Sequence, residues 1–224
     1  MKIDKIRAAP VAEPIFSTPV SLKSTQSWTL QYRAFKRGID FLFSVAVMPI
    51  IGLVAAILFI VNPFLNPGPV FYRQSRMGME GKPFTMWKFR TMRPSTEAVR
   101  AFDAPVEKHR ITALGRFLRT TRIDELPNAI NILRGEMTLI GPRPDAWEHA
   151  LRGIDEIPHY RDRFQVKPGI TGLAQVRSGY ADTPRAMQRK ARLDRFYVHK
   201  SAIALDLRII RETMRVMCTG FGAK

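Results

Sequence analysis

Phe41-Leu42-Phe43-Ser44-Val45-Ala46-Val47-Met48-Pro49-Ile50-Ile51-Gly52-Leu53-Val54-Ala55-Ala56-Ile57-Leu58-Phe59-Ile60-Val61 is the one membrane-grade run in the chain, and no charged side chain occurs between Asp40 and Arg73. About 20 apolar residues suffice for a helix to cross a bilayer. Pro49 falls inside the run, where it removes a helix hydrogen bond and kinks the axis. The arms on either side are about ten residues each, near half a bilayer thickness at ~1.5 Å rise per residue. Both flanks are basic: Arg33, Lys36 and Arg37 before, Arg73, Arg76, Lys82 and Lys88 after. Lys and Arg beside membrane segments stay on the cytoplasmic side, which favours both ends on one face. A single-pass anchor and a re-entrant hairpin that dips in and returns both remain readings of this run, and Pro49 with the basic flanks favours the hairpin.

Working outward, residues 1–27 mix Pro10, Pro14 and Pro19 with Ser, Thr and Lys and read as a mobile tail with no signal-peptide core. Residues 28–69 read as the membrane-inserted hairpin with its exit turn, and 70–224 as a cytoplasmic domain. The 224 residues carry 36 basic against 19 acidic side chains, a formal charge of +17. Such a surplus implies an anionic partner: nucleic acid, anionic lipid headgroups or phosphorylated substrates. The single Cys218 excludes a disulfide framework and a cysteine zinc site. Four scattered histidines offer no metal-ligand spacing.

Asn62-Pro63 and Asn66-Pro67-Gly68-Pro69 close the apolar run as turns. Val70 to Gln74 reads as a strand, and Phe84 to Arg90 alternates as a second one, with Lys88 and Arg90 on one face and Trp87 and Phe89 on the other. That basic face is either solvated or meets phosphate. Residues 94–110 read as a loop with one helical turn. A helical pattern covers Ile111 to Arg122, and a short helix Asn128 to Leu133 ends at Gly135. Met137 to Ile140 is a short strand, and Pro142 and Pro144 stiffen the backbone around Arg143. Val166 to Gly172 reads as a glycine-bearing turn into a strand Leu173 to Val176. Thr183-Pro184 reads as a helix start. The helix after it and the last segment, Ala204 to Met217, are basic and amphipathic, and such helices lie on an anionic bilayer or serve as ordinary surface helices. The fold class that follows is mixed α/β: a small, mainly helical domain with short strands, on a proline-broken re-entrant membrane helix and amphipathic surface helices.

The chemistry concentrates at Thr120-Thr121-Arg122-Ile123-Asp124-Glu125-Leu126-Pro127-Asn128, two adjacent carboxylates led in by Arg116, Arg119 and Arg122. Pro127 is tolerated in a first helical turn, so a helix starts around Asp124, and Asp is a favoured N-cap. Alone, the pair is a cap. In the company of the arginines and a helix N-terminus it is an anion site, where nearby cations favour an ionised Asp124. Carboxylate attack on phosphorus gives an aspartyl phosphate. Mg²⁺ needs only one or two carboxylates when phosphate oxygens complete its shell, which would leave Asp124 to attack and Glu125 to hold the metal. Arginines would neutralise charge on the transferring oxygens.

Lys88-Phe89-Arg90-Thr91-Met92, Arg119 through Asp124-Glu125-Leu126-Pro127, Gly141-Pro142-Arg143-Pro144, and Lys167-Pro168-Gly169-Ile170-Thr171-Gly172-Leu173-Ala174-Gln175-Val176 occur in this order. Together they resemble the ordered motifs of the bacterial sugar transferases, the monotopic phosphoglycosyl transferases that initiate exopolysaccharide and glycan assembly. The likeness runs from about Arg33 to Val216. It implies transfer of a sugar 1-phosphate from a UDP-sugar to undecaprenyl phosphate with release of UMP, at the cytoplasmic face of the bacterial inner membrane, with Mg²⁺ as cofactor and no nucleic acid as partner. It also implies that Asp124 forms the covalent phosphosugar intermediate and that Glu125 serves the metal. By the same resemblance Arg119 and Arg143, with Lys88 and Arg90, bind substrate phosphate, and Pro49 breaks the membrane helix. The chain departs from the family pattern at Met48, at Thr121-Arg122-Ile123 and at Leu173. It resembles the minimal form, without several spanning helices ahead of the catalytic part. From another class, a basic membrane-tethered adaptor for anionic lipid or nucleic acid also accounts for +17, but leaves the ordered motifs idle.

Overall fold

A computed structural model of the protein describes residues 28–94, 107–179 and 183–219, so the expected tail at 1–27 lies outside the described residues. The chain is mixed α/β and mostly helical. Helix α1 (Leu30–Leu65) opens with the Thr29 side chain accepting from the Tyr32 N–H and contains both Pro49 and Pro63. The expected break at Pro49 does not divide it into two elements. The apolar run is also only part of the helix, which begins eleven residues earlier and takes in the basic flank.

That flank does not face headgroups throughout. Buried Lys36 donates to the Ile140 carbonyl at 2.7 Å and pairs with Asp206 at 3.0 Å, while Arg37 donates to the Ile132 and Leu133 carbonyls. Arg37 thereby joins the C-terminal end of another helix, where the Ile132 carbonyl also accepts from the Gly135 N–H. Asp40 accepts from the Thr138 hydroxyl and the Leu139 N–H. Near the far end, Asn66 donates to the Arg90 carbonyl and accepts from Thr112. Tyr32, Lys36, Asp40, Ser44, Ile51, Leu58 and Asn62 thus form one buried stripe at helical spacing. The opposite face leaves Leu42, Leu53, Phe59, Ile60 and Phe64 exposed.

Strands β1 (Phe71–Met77) and β2 (Pro83–Phe89) pair antiparallel, with Phe71 opposite Phe89 and Tyr72 opposite Lys88. Phe84 and Met86 pack on Ile132 and Met137, whereas Phe89 packs on Ile51, Leu58 and Leu118 of another cluster. The β2 face that carries Lys88 is therefore largely a core face and not a solvated one. Within the expected 94–110 loop, Lys108–Arg110 makes a 3₁₀ turn.

Helix α2 (Ala113–Thr120) is capped by Thr112, whose hydroxyl accepts from the Gly115 N–H at 2.9 Å. At Gly115 a Cβ would stand 1.9 Å from the Thr91 carbonyl oxygen, so only glycine lets α2 lie against the end of the β2 segment. A 3₁₀ turn (Ile123–Glu125) leads to α3 (Asn128–Leu133). Strand β3 (Thr138–Ile140) runs into α4 (Trp147–Glu156), a helix the sequence reading passed over. After a 3₁₀ turn (Tyr160–Gln165), β4 (Gly169–Thr171) pairs parallel with β3. At Gly169 a Cβ would meet the Gly141 nitrogen at 2.1 Å, which explains the glycine in this motif.

Leu173–Ser178 is helix α5, not the expected strand. Leu, Ala and Gln are good helix formers, and Gln175 donates back to the Ile170 carbonyl. Helix α6 (Pro184–Lys200) starts at the expected Thr183 cap, and α7 (Ile203–Thr219) closes the described chain. Tyr197, Val198 and Ile209 from these two helices pack with Ile140, Val166 and Leu173 over the β3–β4 pair.

Candidate active site

Asp124 and Glu125 sit in the 3₁₀ turn between α2 and α3, both buried. Arg122 enters that turn in the left-handed region at φ 60°. A left-handed non-glycine residue costs about 1 kcal/mol or more, and such strain clusters where the surrounding structure demands it. The turn is closed by the Glu125 N–H to the Arg122 carbonyl and the Leu126 N–H to the Ile123 carbonyl. Asp124 is therefore not an N-cap. Pro127 occupies the cap position of α3, and no side chain caps that helix.

Glu125 is the hub. Lys88, reaching across from β2, pairs with its Oε1 at 2.8 Å, and Arg143 donates to the same oxygen. Arg143 approaches Oε2 only at 3.4 Å. Burial pushes the Glu125 carboxyl up, but Arg143 and Lys88 outweigh it and hold it well below the usual glutamate range. Lys88 is pulled below the usual lysine range by burial, with Glu125 opposing.

Asp124 differs. Among the described residues its carboxylate has no hydrogen-bond partner. Burial pushes it up to about 6, with Glu125 adding to the rise and Lys88, Arg119 and Arg143 opposing it. The downward pull expected from nearby cations therefore settles on the glutamate. Asp124 is left as a carboxylate that is mostly ionised at neutral pH, poorly solvated and unpaired.

Lys88, Arg119 and Arg143 thus surround the dyad, from β2, from the last turn of α2 and from the loop after β3. Arg90 goes elsewhere: it donates to the Pro69 carbonyl and lies over the Tyr72 ring. Pro49 lies inside α1. Among the described residues no group of three or more acids or histidines could hold a metal. The donor set is one or two carboxylates, and Mg²⁺ takes this number when substrate phosphates supply further oxygens. Glu125 Oε2, which Arg143 approaches only at 3.4 Å, is the less engaged of the two oxygens and the one that would take such an ion. The sequence reading missed Asp145, Arg163 and Lys190, buried charges behind the Arg143 loop. An acid directly after Gly141-Pro142-Arg143-Pro144 was the one local signal for them.

A long apolar helix laid on a basic α/β domain, with an acid pair ringed by cations at its centre, defines the class to which this protein belongs. Residues 31–220 match the family model described as bacterial sugar transferase. The chain belongs to the bacterial sugar transferase family. It is 34% identical over 211 residues to the UDP-glucose:undecaprenyl-phosphate glucose-1-phosphate transferase of Escherichia coli (strain K12), covering 93% of this chain and 44% of that one. It is 37% identical over 193 residues to the UDP-N-acetylgalactosamine-undecaprenyl-phosphate N-acetylgalactosaminephosphotransferase of Aeromonas hydrophila, covering 86% and 46%. Against the exopolysaccharide production protein PSS of Rhizobium leguminosarum bv. phaseoli it is 34% identical over 185 residues, 80% of this chain and 92% of that one. The chain spans less than half the length of the first two relatives.

Proposed function

We propose that this protein transfers a sugar 1-phosphate from a UDP-sugar to undecaprenyl phosphate through a covalent aspartyl intermediate. The observation that carries the reading is the contrast within the dyad: Glu125 is neutralised by two cations, while the adjacent Asp124 is buried, unpaired and raised to about 6.

In the first step an Asp124 carboxylate oxygen attacks the sugar-bearing β-phosphorus. The bond from that phosphorus to the oxygen bridging the two phosphates breaks, and UMP leaves with the electron pair. In the second step a phosphate oxygen of undecaprenyl phosphate attacks the same phosphorus. The aspartyl O–P bond breaks, which restores the carboxylate and yields the lipid diphosphosugar. Lys88, Arg119 and Arg143 oppose the negative charge of the transferring phosphoryl group and of the leaving UMP. Glu125 would hold Mg²⁺, which when bound neutralises charge on the phosphate oxygens.

The acceptor lipid carries its phosphate at headgroup depth, so the site must be held at the membrane. Helix α1 is 36 residues long, about 54 Å at ~1.5 Å per residue. Lys36 and Asp40 toward one end and Asn66 at the other all bond to the same domain. This supports a re-entrant seating with both ends on the cytoplasmic face and the Leu42, Leu53, Phe59 and Phe64 side in lipid.

The test uses detergent-solubilised protein, radiolabelled UDP-sugars and undecaprenyl phosphate. Wild type forms lipid-linked product and releases UMP, whereas Asp124→Asn, which keeps the shape but not the nucleophile, forms neither. Undiminished product from the variant would remove Asp124 as nucleophile. For the seating, Arg33→Cys and Arg73→Cys, each with Cys218→Ser, label from the cytoplasmic side alike, and labelling from opposite sides would replace the re-entrant seating with a span.

A further inference from the structure

The loop that carries Arg143 has little regular structure of its own to fix it. Pro142 and Pro144 have no backbone N–H, so Gly141–Asp145 cannot join a ladder in the usual way. The four carbonyls of residues 142–145 are nevertheless all satisfied. The Pro142 carbonyl accepts from the Gly169 N–H at 2.9 Å and the Asp145 carbonyl from the Met77 N–H at 3.3 Å. Those of Arg143 and Pro144 accept from two arginine side chains, Arg163 and Arg76.

Arg163 is itself held in a closed set of charges. The Asp145 carboxylate takes Arg163, the Tyr160 hydroxyl and Lys190, the last at 2.7 and 2.9 Å, and Asp194 lies 3.1 Å from the other Arg163 nitrogen. Two positive and two negative side chains are thus gathered behind the loop, with Arg163 and Asp194 almost fully buried. A buried ion cluster of this kind gives little net stability over apolar packing, because desolvation offsets the attraction. What it does supply is one fixed arrangement of rigid hydrogen bonds, and the guanidinium fork suits that task better than an ammonium.

The geometry points to Arg163 as a positioning residue, locked by Asp145 and Lys190, that holds the Arg143 backbone so that its side chain meets Glu125. Arg76 grips the next carbonyl from the β1 side. The cluster touches no reacting atom and acts only through Arg143. Its relevance to catalysis rests on the proposed transferase reading, while its effect on the cation site does not.

The test is a double-mutant cycle on the full chain, read by inorganic pyrophosphate binding and by turnover of UDP-sugar. Arg163→Lys keeps the charge and loses the fork. It weakens pyrophosphate binding about tenfold in the wild-type background and leaves it nearly unchanged in an Arg143→Ala background, since residues that act through one another are not additive. Turnover follows the same pattern, with KM for the UDP-sugar rising more than kcat falls. Should Arg163→Lys fail to fold, as judged by circular dichroism, Arg76→Lys is run through the same cycle with the same expectation. Equal losses in both backgrounds would show a merely structural role and overturn the inference, as would a wild type that binds no pyrophosphate. Non-additive pyrophosphate binding with no UDP-sugar turned over would instead sustain the positioning role and sink the transferase reading.

Discussion

Asp124→Asn is expected to stabilise the protein while abolishing its chemistry. The Asp124 carboxyl rises from 3.8 to about 6 in the folded state, with burial the largest cause. At 1.36 kcal/mol per pKa unit, the ionised form costs the fold about 3 kcal/mol. The sign follows from proton binding. Between pH 4 and 6 the folded protein holds this proton and the unfolded chain has released it, so wild-type stability falls as pH rises through that window. Above pH 6 the full cost is present, and below about 4 it vanishes. Asparagine fills the same space without the charge, so its gain over wild type is about 3 kcal/mol at pH 8 and about half of that at pH 5. For a chain of this size the pH 8 gain corresponds to roughly 6–12 °C in Tm. Thermal unfolding in detergent, followed by circular dichroism at pH 5 and pH 8, reads it. A variant no more stable than wild type at pH 8, or a gain equal at both pH values, would refute the reasoning that Asp124 is held unsolvated and unpaired.

The neighbouring acid has the opposite sign. Glu125→Gln leaves Lys88 and Arg143 without their carboxylate, and removing one partner of a buried pair costs about 3–5 kcal/mol; the same melts would show a lower Tm beside lost turnover, and an unchanged Tm would argue against the hub. Turnover of wild type should fall on acidification through about pH 6 as Asp124 takes up its proton, which an initial-rate profile from pH 5 to 8 measures. Lys36→Met removes the cation paired with buried Asp206 at the α1–α7 contact and leaves that carboxylate only the Tyr32 and Tyr197 hydroxyls, at a cost of about 3–5 kcal/mol. Limited proteolysis should then release α1 more readily, and adding Asp206→Asn, which keeps an acceptor for the tyrosines without the charge, should restore much of the loss. Gly115→Ala drives a methyl into the Thr91 carbonyl and should cost about 1–3 kcal/mol or more, seen as reduced folded yield.

Much of this protein is legible in one dimension. The uncharged run from Phe41, the alternation through Phe84–Phe89, the Thr183-Pro184 start of α6 and the short helix ended by Gly135 are local patterns, and local physics decides them. Leu173 to Val176 is helical and not a strand because Leu-Ala-Gln-Val suits either state, and packing of Leu173 against Ile140 and Tyr197 decides it. The grouping of Asp124-Glu125 with arginines was visible as composition. The division of roles, Asp124 to attack and Glu125 to hold the metal, was legible there too; the unequal charge environment of the two acids was not, since the arginines along the chain predict only that cations favour an ionised Asp124. Only in three dimensions do Lys88 from β2 and Arg143 from the loop after β3 converge on Glu125, 37 and 18 residues away, and leave Asp124 to burial. The same holds for Lys36 and Arg37. Read along the chain they are the basic flank of a membrane segment, and in the fold they tie that segment to Asp206, Ile140 and the end of α3. Sequence sets which residues are apolar, charged or conformationally stiff, because these are properties of each residue and its neighbours. Which charge loses its water, and which partner compensates it, is a property of distances between remote segments, so the tertiary structure alone assigned them.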